Sequence, residues 1–198
     1  MDKYEYNLKL EEITKLADQG YYEDAADIID TIDWRRVRNV RTLCMISEIY
    51  EEVGRLQDSK ALLLRAYRKS QAVRNILFHL TEISVKLREF DDAAEFYSEF
   101  VEAAPHDNSR YLLKYMIYRG RGAAIEDQIE ILEQHVDDHE KDLINNHIER
   151  IMNSLCNPLS AVIFSDLVTD LERCSDHAIN LAYALKERPS EMDAPKII

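Results

Sequence analysis

Residues 77–105 contain a pattern that recurs along the first two thirds of the chain, and this recurrence limits the possible folds more than any other feature. Apolar residues at helical spacing in both halves of this stretch, which ends at Pro105, predict two short helices. The same slots are filled again thirty-four and sixty-eight residues earlier. Two helices this short cannot bury both of their apolar faces alone, so the pairs must stack on one another. The three sets of slots hold Phe90, Ala93, Tyr97 and Phe100; Leu56, Ser59, Leu63 and Ala66; and Tyr22, Ala25, Ile29 and Ile32.

The turn inside each pair recurs with the same period, at Gly20, Gly54 and Arg88. A period of thirty-four residues with small, aromatic and apolar residues in fixed slots resembles the tetratricopeptide repeat (TPR). The resemblance covers roughly residues 6–134. It implies an all-α fold in which helix-turn-helix pairs stack into a right-handed solenoid. No stretch alternates as a strand does, so we expect no sheet.

The chain after Pro105 predicts a fourth pair and then a change of architecture. Gly120 and Gly122 are expected to break the first helix of this pair, and the second helix is expected to end near Gln134. Beyond that point the repeat register is lost. We therefore predict a domain of three to four TPR-like pairs over residues 1–134, a long antiparallel helical hairpin over 135–187, and a flexible tail over 188–198.

The hairpin prediction depends on two long apolar patterns separated by a stop at Asn157 and Pro158. The second pattern alternates steps of three and four residues without a fault, which is a heptad seam. We expect this seam to pack the two helices together, and a homodimer could form if the seam completes a four-helix bundle across two chains. The seam consists of Phe164, Leu167, Leu171, Cys174, Ala178, Leu181 and Leu185.

Composition narrows the choice of partners. The formal net charge of −13 argues against nucleic acid as a partner and favours basic or neutral ones. A local basic region from Arg35 to Arg74 is explained most simply by exposed ion pairs. The three cysteines lack metal-site spacing and suit a reducing compartment. The N-terminus resembles no signal peptide and no apolar run could span a membrane, so we expect a soluble, cytoplasmic protein without membrane insertion.

The resemblance to TPR proteins implies a partner groove. In that family the first helix of each pair lines a concave surface that holds a protein or peptide. The residue pattern by which some members bind a terminal carboxylate does not occur in this sequence, so a helix or an extended segment with apolar anchors is the expected partner. The positions that match the family's groove are Arg41, Cys44, Glu48, Asn75, Phe78, Glu82, Leu112, Met116 and Arg119.

A second resemblance concerns residues 132–187, chiefly the run 147–187. It resembles the end of the PhoU-like domain of phosphate-uptake regulators, which is also attached to bacterial sodium/phosphate cotransporters. In that family an acidic residue followed four positions later by Asp contributes to iron or zinc clusters, and the pattern falls here on Glu172 and Asp176. The residues that carry the resemblance are Asp166, Leu167, Leu171, Glu172, Arg173, Ser175, Asp176, His177, Ala178 and Asn180.

The case for metal at Glu172 and Asp176 competes with a simpler explanation. A cluster needs ligands from more than one helix, whereas a solvated helix face explains two acidic residues one turn apart. His135 and His139 have the same simple explanation, since an HxxxH pair alone lacks the rest of a zinc site. If both resemblances hold, the chain is a mosaic, natural or made, that joins near residues 133–142.

Three functions therefore compete at the level of sequence. The first is a non-enzymatic interaction scaffold that binds a protein partner and needs no cofactor. The second is a regulator of phosphate uptake that binds iron or zinc through its last helix. An enzyme is the weakest of the three, because no phosphate-binding loop and no nucleophile motif occurs.

Overall fold

The computed structural model describes residues 3–70 and 73–186, and within these ranges the chain is helical, with no strand. This confirms the all-α prediction. A short 3-10 turn, Trp34–Arg36, interrupts the α-helices once. The α-helices are α1 (Lys3–Asp18), α2 (Tyr22–Asp30), α3 (Val40–Glu52), α4 (Leu56–Tyr67), α5 (Arg74–Lys86), α6 (Phe90–Ala103), α7 (Ser109–Arg121), α8 (Ile125–Met152) and α9 (Pro158–Lys186).

Three helix pairs end their first helix in the same way, at the spacing predicted from the sequence. Gly20, Gly54 and Arg88 all have positive φ, at 80°, 76° and 63°. Around Gly54, its own amide donates to the carbonyl of Glu51 at 2.9 Å, and the amide of Arg55 donates to the carbonyl of Tyr50 at 2.7 Å. The equivalent bonds occur after Gly20 and Arg88. This arrangement satisfies the last carbonyls of each helix and turns the chain into the next one.

The chain divides into two compact units, residues 1–121 and 122–198. The boundary expected near residue 134 falls inside α8, which runs without a break from Ile125 to Met152. The residues expected to form the second helix of a fourth pair are therefore the start of one long helix. The flexible tail predicted for 188–198 lies outside the described residues.

Unit 1, residues 1–121, buries its repeat positions in a continuous core. Ile13, Ala25, Ile29, Leu43 and Ile46 are all completely inaccessible to solvent. Each such Leu or Ile stabilises the fold by roughly 1.5 to 3 kcal/mol. The small slot has a further role, because the hydroxyl of Ser59 donates to the carbonyl of Ser47 at 2.7 Å and so joins α4 to α3 inside the core.

We predicted that Gly120 breaks α7, but the helix continues through it to Arg121. The helix ends at Gly122 instead, where φ is 72°. Gly120 lies against α6, where a Cβ atom would come within 2.6 Å of Cε1 of Phe90. The glycine is thus explained by close packing between α7 and α6, and the sequence pattern alone does not distinguish this cause from a helix end.

Unit 2, residues 122–198, contains the antiparallel pair α8 and α9. Near the turn, the ring of His147 in α8 lies 4.4 Å from that of Phe164 in α9, between ring centroids. The His147 Nε2 also lies 3.1 Å from the carbonyl oxygen of Ala161. The helix pair is therefore joined by packing and by at least one polar contact at this end.

The prediction that the heptad seam joins α8 to α9 holds at Phe164 and is wrong for the leucines that follow it. Leu167, Leu171 and Leu181 are 55%, 59% and 60% exposed, whereas Ala161 and Val168 are 8% and 5% exposed. Apart from Phe164, the seam residues whose side chains the structure describes therefore face solvent, and a neighbouring stripe of α9 meets α8. The α8-facing stripe contains Ala161, Phe164, Val168, Ser175 and Ile179.

Candidate partner-binding face

The first helices of the repeat pairs, α1, α3, α5 and α7, leave one side uncovered. All nine positions that we predicted for the groove are accessible, and together they define what we call the first-helix face. On this face Leu112 is 50% exposed, although a leucine on a helix of unit 1 would ordinarily be buried. The exposed members are Arg41, Glu48, Asn75, Leu112 and Arg119, and the half-buried ones are Cys44, Phe78, Glu82 and Met116.

An open cleft of about 480 Å³ lies on this face where α1, α3 and α5 meet. Its apolar lining comes from Ala17, Tyr22, Met45 and Ile49, with Thr14 beside them. The hydroxyl of Thr14 lies 3.7 Å from the sulfur of Met45 and so links α1 to α3 at the cleft. The remaining lining residues are acidic apart from one histidine: Asp18, Glu48, Glu51, Glu52, Glu82 and His79.

The carboxylates collect at the carboxyl ends of helices, where they are electrostatically unfavourable. Asp18 is the last residue of α1, and Glu51 and Glu52 are the last two of α3. The carbonyl end of a helix already carries about half a negative charge. Lys86 is the nearby cation, and it forms an ion pair with Glu51. The cleft thus combines an apolar floor with a strongly negative rim, which suits a cationic side chain.

His79 responds to these carboxylates. Its Nδ1 lies 3.4 Å from a carboxylate oxygen of Glu82. The hydrogen bond with Glu82 raises the pKa of His79, burial opposes this rise, and the charges of Glu82, Glu48 and Glu51 add to it. Protonation of His79, which its raised pKa favours, therefore removes part of the negative charge of the cleft as pH falls.

The apolar members of the first-helix face also pack within unit 1. Phe78 meets Phe100 edge to face, with ring centroids 6.2 Å apart. Phe100 is fully buried with Leu77 and Leu113 in a small core cluster. The ring of Phe78 therefore has a structural role as well as an accessible edge. Burial is the main cause of a raised pKa for Cys44, and the charge of Glu48 adds to it, so this thiol is unreactive at neutral pH.

The first-helix face is also polar near the start of α5. Arg74 donates to the side-chain oxygen of Asn75 at 2.8 Å and forms an ion pair with Asp107. Asn75 is thus oriented by its neighbour. This polar cluster borders the acidic cleft on α5, since His79 of the cleft lies one helical turn after Asn75.

Of the nine predicted residues, the structure brings Glu48 and Glu82 together in the cleft, and the other seven do not line it. Sequence reasoning missed Asp18, Met45, Glu51, Glu52 and His79. Two of them could have been found, because Glu52 lies one helical turn after the predicted Glu48 and Asp18 occupies the same repeat slot thirty-four residues earlier. Met45 and His79 lie at the edge of the stripe, where spacing does not separate groove from core.

The predicted metal residues lie in unit 2. Partial burial raises the pKa of Glu172, and repulsion from Asp176, and from Glu140 and Asp137 on α8, raises it further. The rings of His135 and His139 have centroids 6.4 Å apart. Within the described parts of the chain, no three His, Cys, Asp or Glu side chains converge to hold a metal ion. No helix among the described residues is both long and apolar enough to cross a membrane.

Solved structures with a similar fold include several of MamA, a TPR-repeat protein. The ArsTM double mutant of MamA RS-1 matches with a TM-score of 0.56 at 18% identity, over 86% of this chain and 96% of that one. Residues 41 to the end of MamA from Desulfovibrio magneticus RS-1 match with a TM-score of 0.55 at 19% identity, over the same shares. The fold is a TPR-type helical solenoid. No family model and no curated protein matches the sequence.

Proposed function

We propose that the chain is a non-enzymatic scaffold whose first-helix face binds a helix or an extended segment of a protein partner. The TPR-type fold supports this, since stacked helix pairs leave one uncovered surface for binding. The accessible apolar residues Leu112, Phe78 and Met116 supply anchor sites on that surface. Three free cysteines suit a reducing, cytoplasmic location, which we include in the proposal.

The lining of the acidic cleft also indicates the chemistry of the partner. An apolar floor beneath five carboxylates fits a segment that presents Lys or Arg next to an apolar anchor, because the long aliphatic stem of a basic side chain packs on the floor while its charge reaches the rim. The formal net charge of −13 also attracts a basic segment and so raises its rate of association. We therefore propose a basic amphipathic segment as the ligand.

The regulator of phosphate uptake is not carried forward as a function. Neither the family comparison nor the matched structures support a PhoU-like domain in unit 2. The carboxylate of Glu172 is repelled by Asp176 and by Asp137 and Glu140 of α8, which a helix pair with an acidic surface explains.

Two synthetic peptides test the proposed ligand. Both carry the same leucines at helical spacing, one with Lys and the other with Glu at the remaining positions, and binding is followed by fluorescence anisotropy. We expect the Lys peptide to bind at least about tenfold more tightly, and its affinity to fall as salt rises, because opposite charges at the rim are screened. Equal binding of the two peptides, or binding of neither, would contradict the proposal.

Paired variants separate the cleft from the general acidity of the protein. Glu48→Gln with Glu82→Gln removes two charges from the rim, while Glu95→Gln with Glu102→Gln removes two exposed charges from α6. We expect the first pair to weaken binding of the Lys peptide and the second pair to change it little. Protonation of His79 also lowers the negative charge, so affinity should fall as pH decreases through the raised pKa of His79. His79→Gln should remove that step.

We further propose that unit 2 self-associates. Three leucines of α9 that are more than half exposed at heptad spacing are unusual on a soluble helix pair. Sedimentation velocity at several protein concentrations tests this proposal. Growth of a dimer with concentration is expected, and a monomer over the whole range would contradict it.

A further inference from the structure

The exposed heptad stripe of α9 lies about a quarter turn from the stripe that packs on α8. At 3.6 residues per turn, Leu167, Leu171, Cys174, Ala178 and Leu181 centre about 100° around the helix from Val168. A helix with two apolar stripes roughly a right angle apart is typical of a four-helix bundle, where each helix packs on two neighbours. In unit 2 one of the two neighbours of α9 is α8. The other position is open to solvent in the described structure.

We propose that the second neighbour is α9 of another copy of this chain, aligned antiparallel. This inference rests on the proposed self-association and adds the partner helix, its direction and its register. A twofold axis brings the same surface of both copies together, so a single stripe has to be complementary to itself. The order of large and small side chains along the stripe decides between a parallel and an antiparallel alignment.

The antiparallel alignment matches large residues with small ones. Placing Leu167 opposite Ala178 of the second copy also places Leu171 opposite Cys174 of the second copy. Each of these two facing pairs forms a layer, and because of the twofold axis each layer occurs twice. A parallel alignment stacks each residue on itself, which crowds the leucine layers and leaves gaps at Cys174 and Ala178. Cores alternate large and small residues across facing positions to reach native packing density. The four central layers of the stripe, from Leu167 to Ala178, are therefore complementary to their own reverse.

The polar flank of the stripe supports the same direction. Asp170 and His177 lie along the side of the stripe away from α8, at the positions that set orientation in paired helices. In the antiparallel register Asp170 faces His177 of the second copy, twice across the axis, and a carboxylate and an imidazole can share a hydrogen bond or a charge. Arg173, 3.8 Å from Asp170, lies on the same helix. In the parallel alignment Asp170 would face Ser175 and His177 would face Ala182, so neither pair forms.

Disulfide trapping tests the direction, with sedimentation run on the same samples. In a background of Cys44→Ser and Cys156→Ser, the variant Leu171→Cys should form a disulfide-linked dimer through residues 171 and 174 under mild oxidation, as mapped by mass spectrometry. Without Leu171→Cys the two Cys174 residues are offset by three residues, about 4.5 Å along the axis, which takes their Cα atoms beyond the ~7 Å limit for a disulfide. That background protein should therefore remain largely unlinked.

Each outcome is decisive. A dimer that links only with Leu171→Cys supports the inference. A dimer that links through Cys174 in the background protein keeps self-association and overturns the proposed antiparallel register, and a dimer that links in neither protein overturns the α9 interface. A monomer at every concentration removes the proposed self-association itself.

A surface variant gives a second, independent reading. Leu171→Lys should raise the dimer dissociation constant about tenfold or more, because a leucine is lost from the interface and a charge enters it. Leu8→Lys, which alters a similarly exposed leucine of unit 1 outside the first-helix face, should leave the dimer unchanged. Equal dissociation constants for Leu171→Lys and the unaltered chain would contradict the interface.

Discussion

The two units of this chain use apolar helix faces in opposite ways. Unit 1 buries its repeat positions, so that Leu43, Leu63 and Leu80 are at most 1% exposed, and it leaves a mixed, acidic face open. Unit 2 has two long helices and buries little, with Leu167, Leu171 and Leu181 more than half exposed. The difference teaches that a regular apolar pattern predicts a helix and its apolar side, but the number of neighbouring helices decides whether that side is covered.

Matched leucine truncations give the largest contrast between the units. Leu63→Ala should lower the free energy of unfolding by about 2 to 5 kcal/mol, since it leaves a cavity in the core of unit 1. Leu171→Ala should change it by less than about 0.5 kcal/mol in monomeric protein, because its side chain is already solvated. Urea denaturation at a concentration where sedimentation shows monomer provides both values. Similar losses for the two variants would remove the contrast.

The second-largest change in stability is expected at Gly120, where α7 packs closely against α6. Gly120→Ala gains helix propensity but places a methyl group against the ring of Phe90, and we expect a net loss of roughly 1 to 3 kcal/mol. Phe90→Leu should reduce that loss by making room. If Gly120→Ala raises the melting temperature, the glycine has no packing role there.

In both units, replacing a residue of left-handed conformation at a helix end by glycine should raise the free energy of unfolding. Arg88 in unit 1 and Ser154 in unit 2 have φ values of 63° and 57°, in a region that glycine adopts without strain. Arg88→Gly and Ser154→Gly should each raise the free energy of unfolding by about 1 kcal/mol. Gly54→Ala, at the equivalent site, should lower it by a comparable amount, and thermal unfolding measures all three variants. A loss of stability in the two glycine variants would contradict the turn geometry.

The acidic cluster of unit 2 predicts the smallest effect. Partial burial and the charges of Asp176 and Glu140 raise the pKa of Glu172, so ionisation of this group opposes folding. Its contribution to stability is therefore greatest at low pH and declines as pH rises from the ordinary range of a glutamate to the raised pKa. Glu172→Gln should raise the melting temperature slightly at pH 7 and have no effect near about pH 3. Asp166→Asn, on the far side of α9, is the control, and equal shifts for both variants at pH 7 would exclude a local cause.

Much of unit 1 could be predicted from its thirty-four-residue period, because a given repeat position packs against the same kind of neighbour in each helix pair. Tyr22, Leu56 and Phe90 start the second helices of their pairs, and the positive φ of Arg88 was implied by the glycines at Gly20 and Gly54. Gly120 was misread because a glycine ends a helix or admits a close neighbour, and only the position of Phe90 distinguishes the two.

The remaining errors concern unit 2 and the site. The heptad of α9 was assigned to the α8 contact because spacing defines a stripe without naming what packs on it. The acidic cleft was only partly found: spacing could have supplied Asp18 and Glu52, but their convergence with His79 of a third helix depends on stacking angles. Sequence periodicity carries no information about those angles. The nine predicted face residues remain a proposal for binding.

Chemical-shift mapping tests most directly whether the first-helix face is the binding surface. Backbone amide spectra of the ¹⁵N-labelled chain are recorded as the Lys peptide is added. We predict that the largest shifts cluster on α3 and α5 around Cys44, Glu48, Phe78 and Glu82, with smaller ones near Met116. Shifts confined to the second helices α4 and α6, or to α9, would contradict this account.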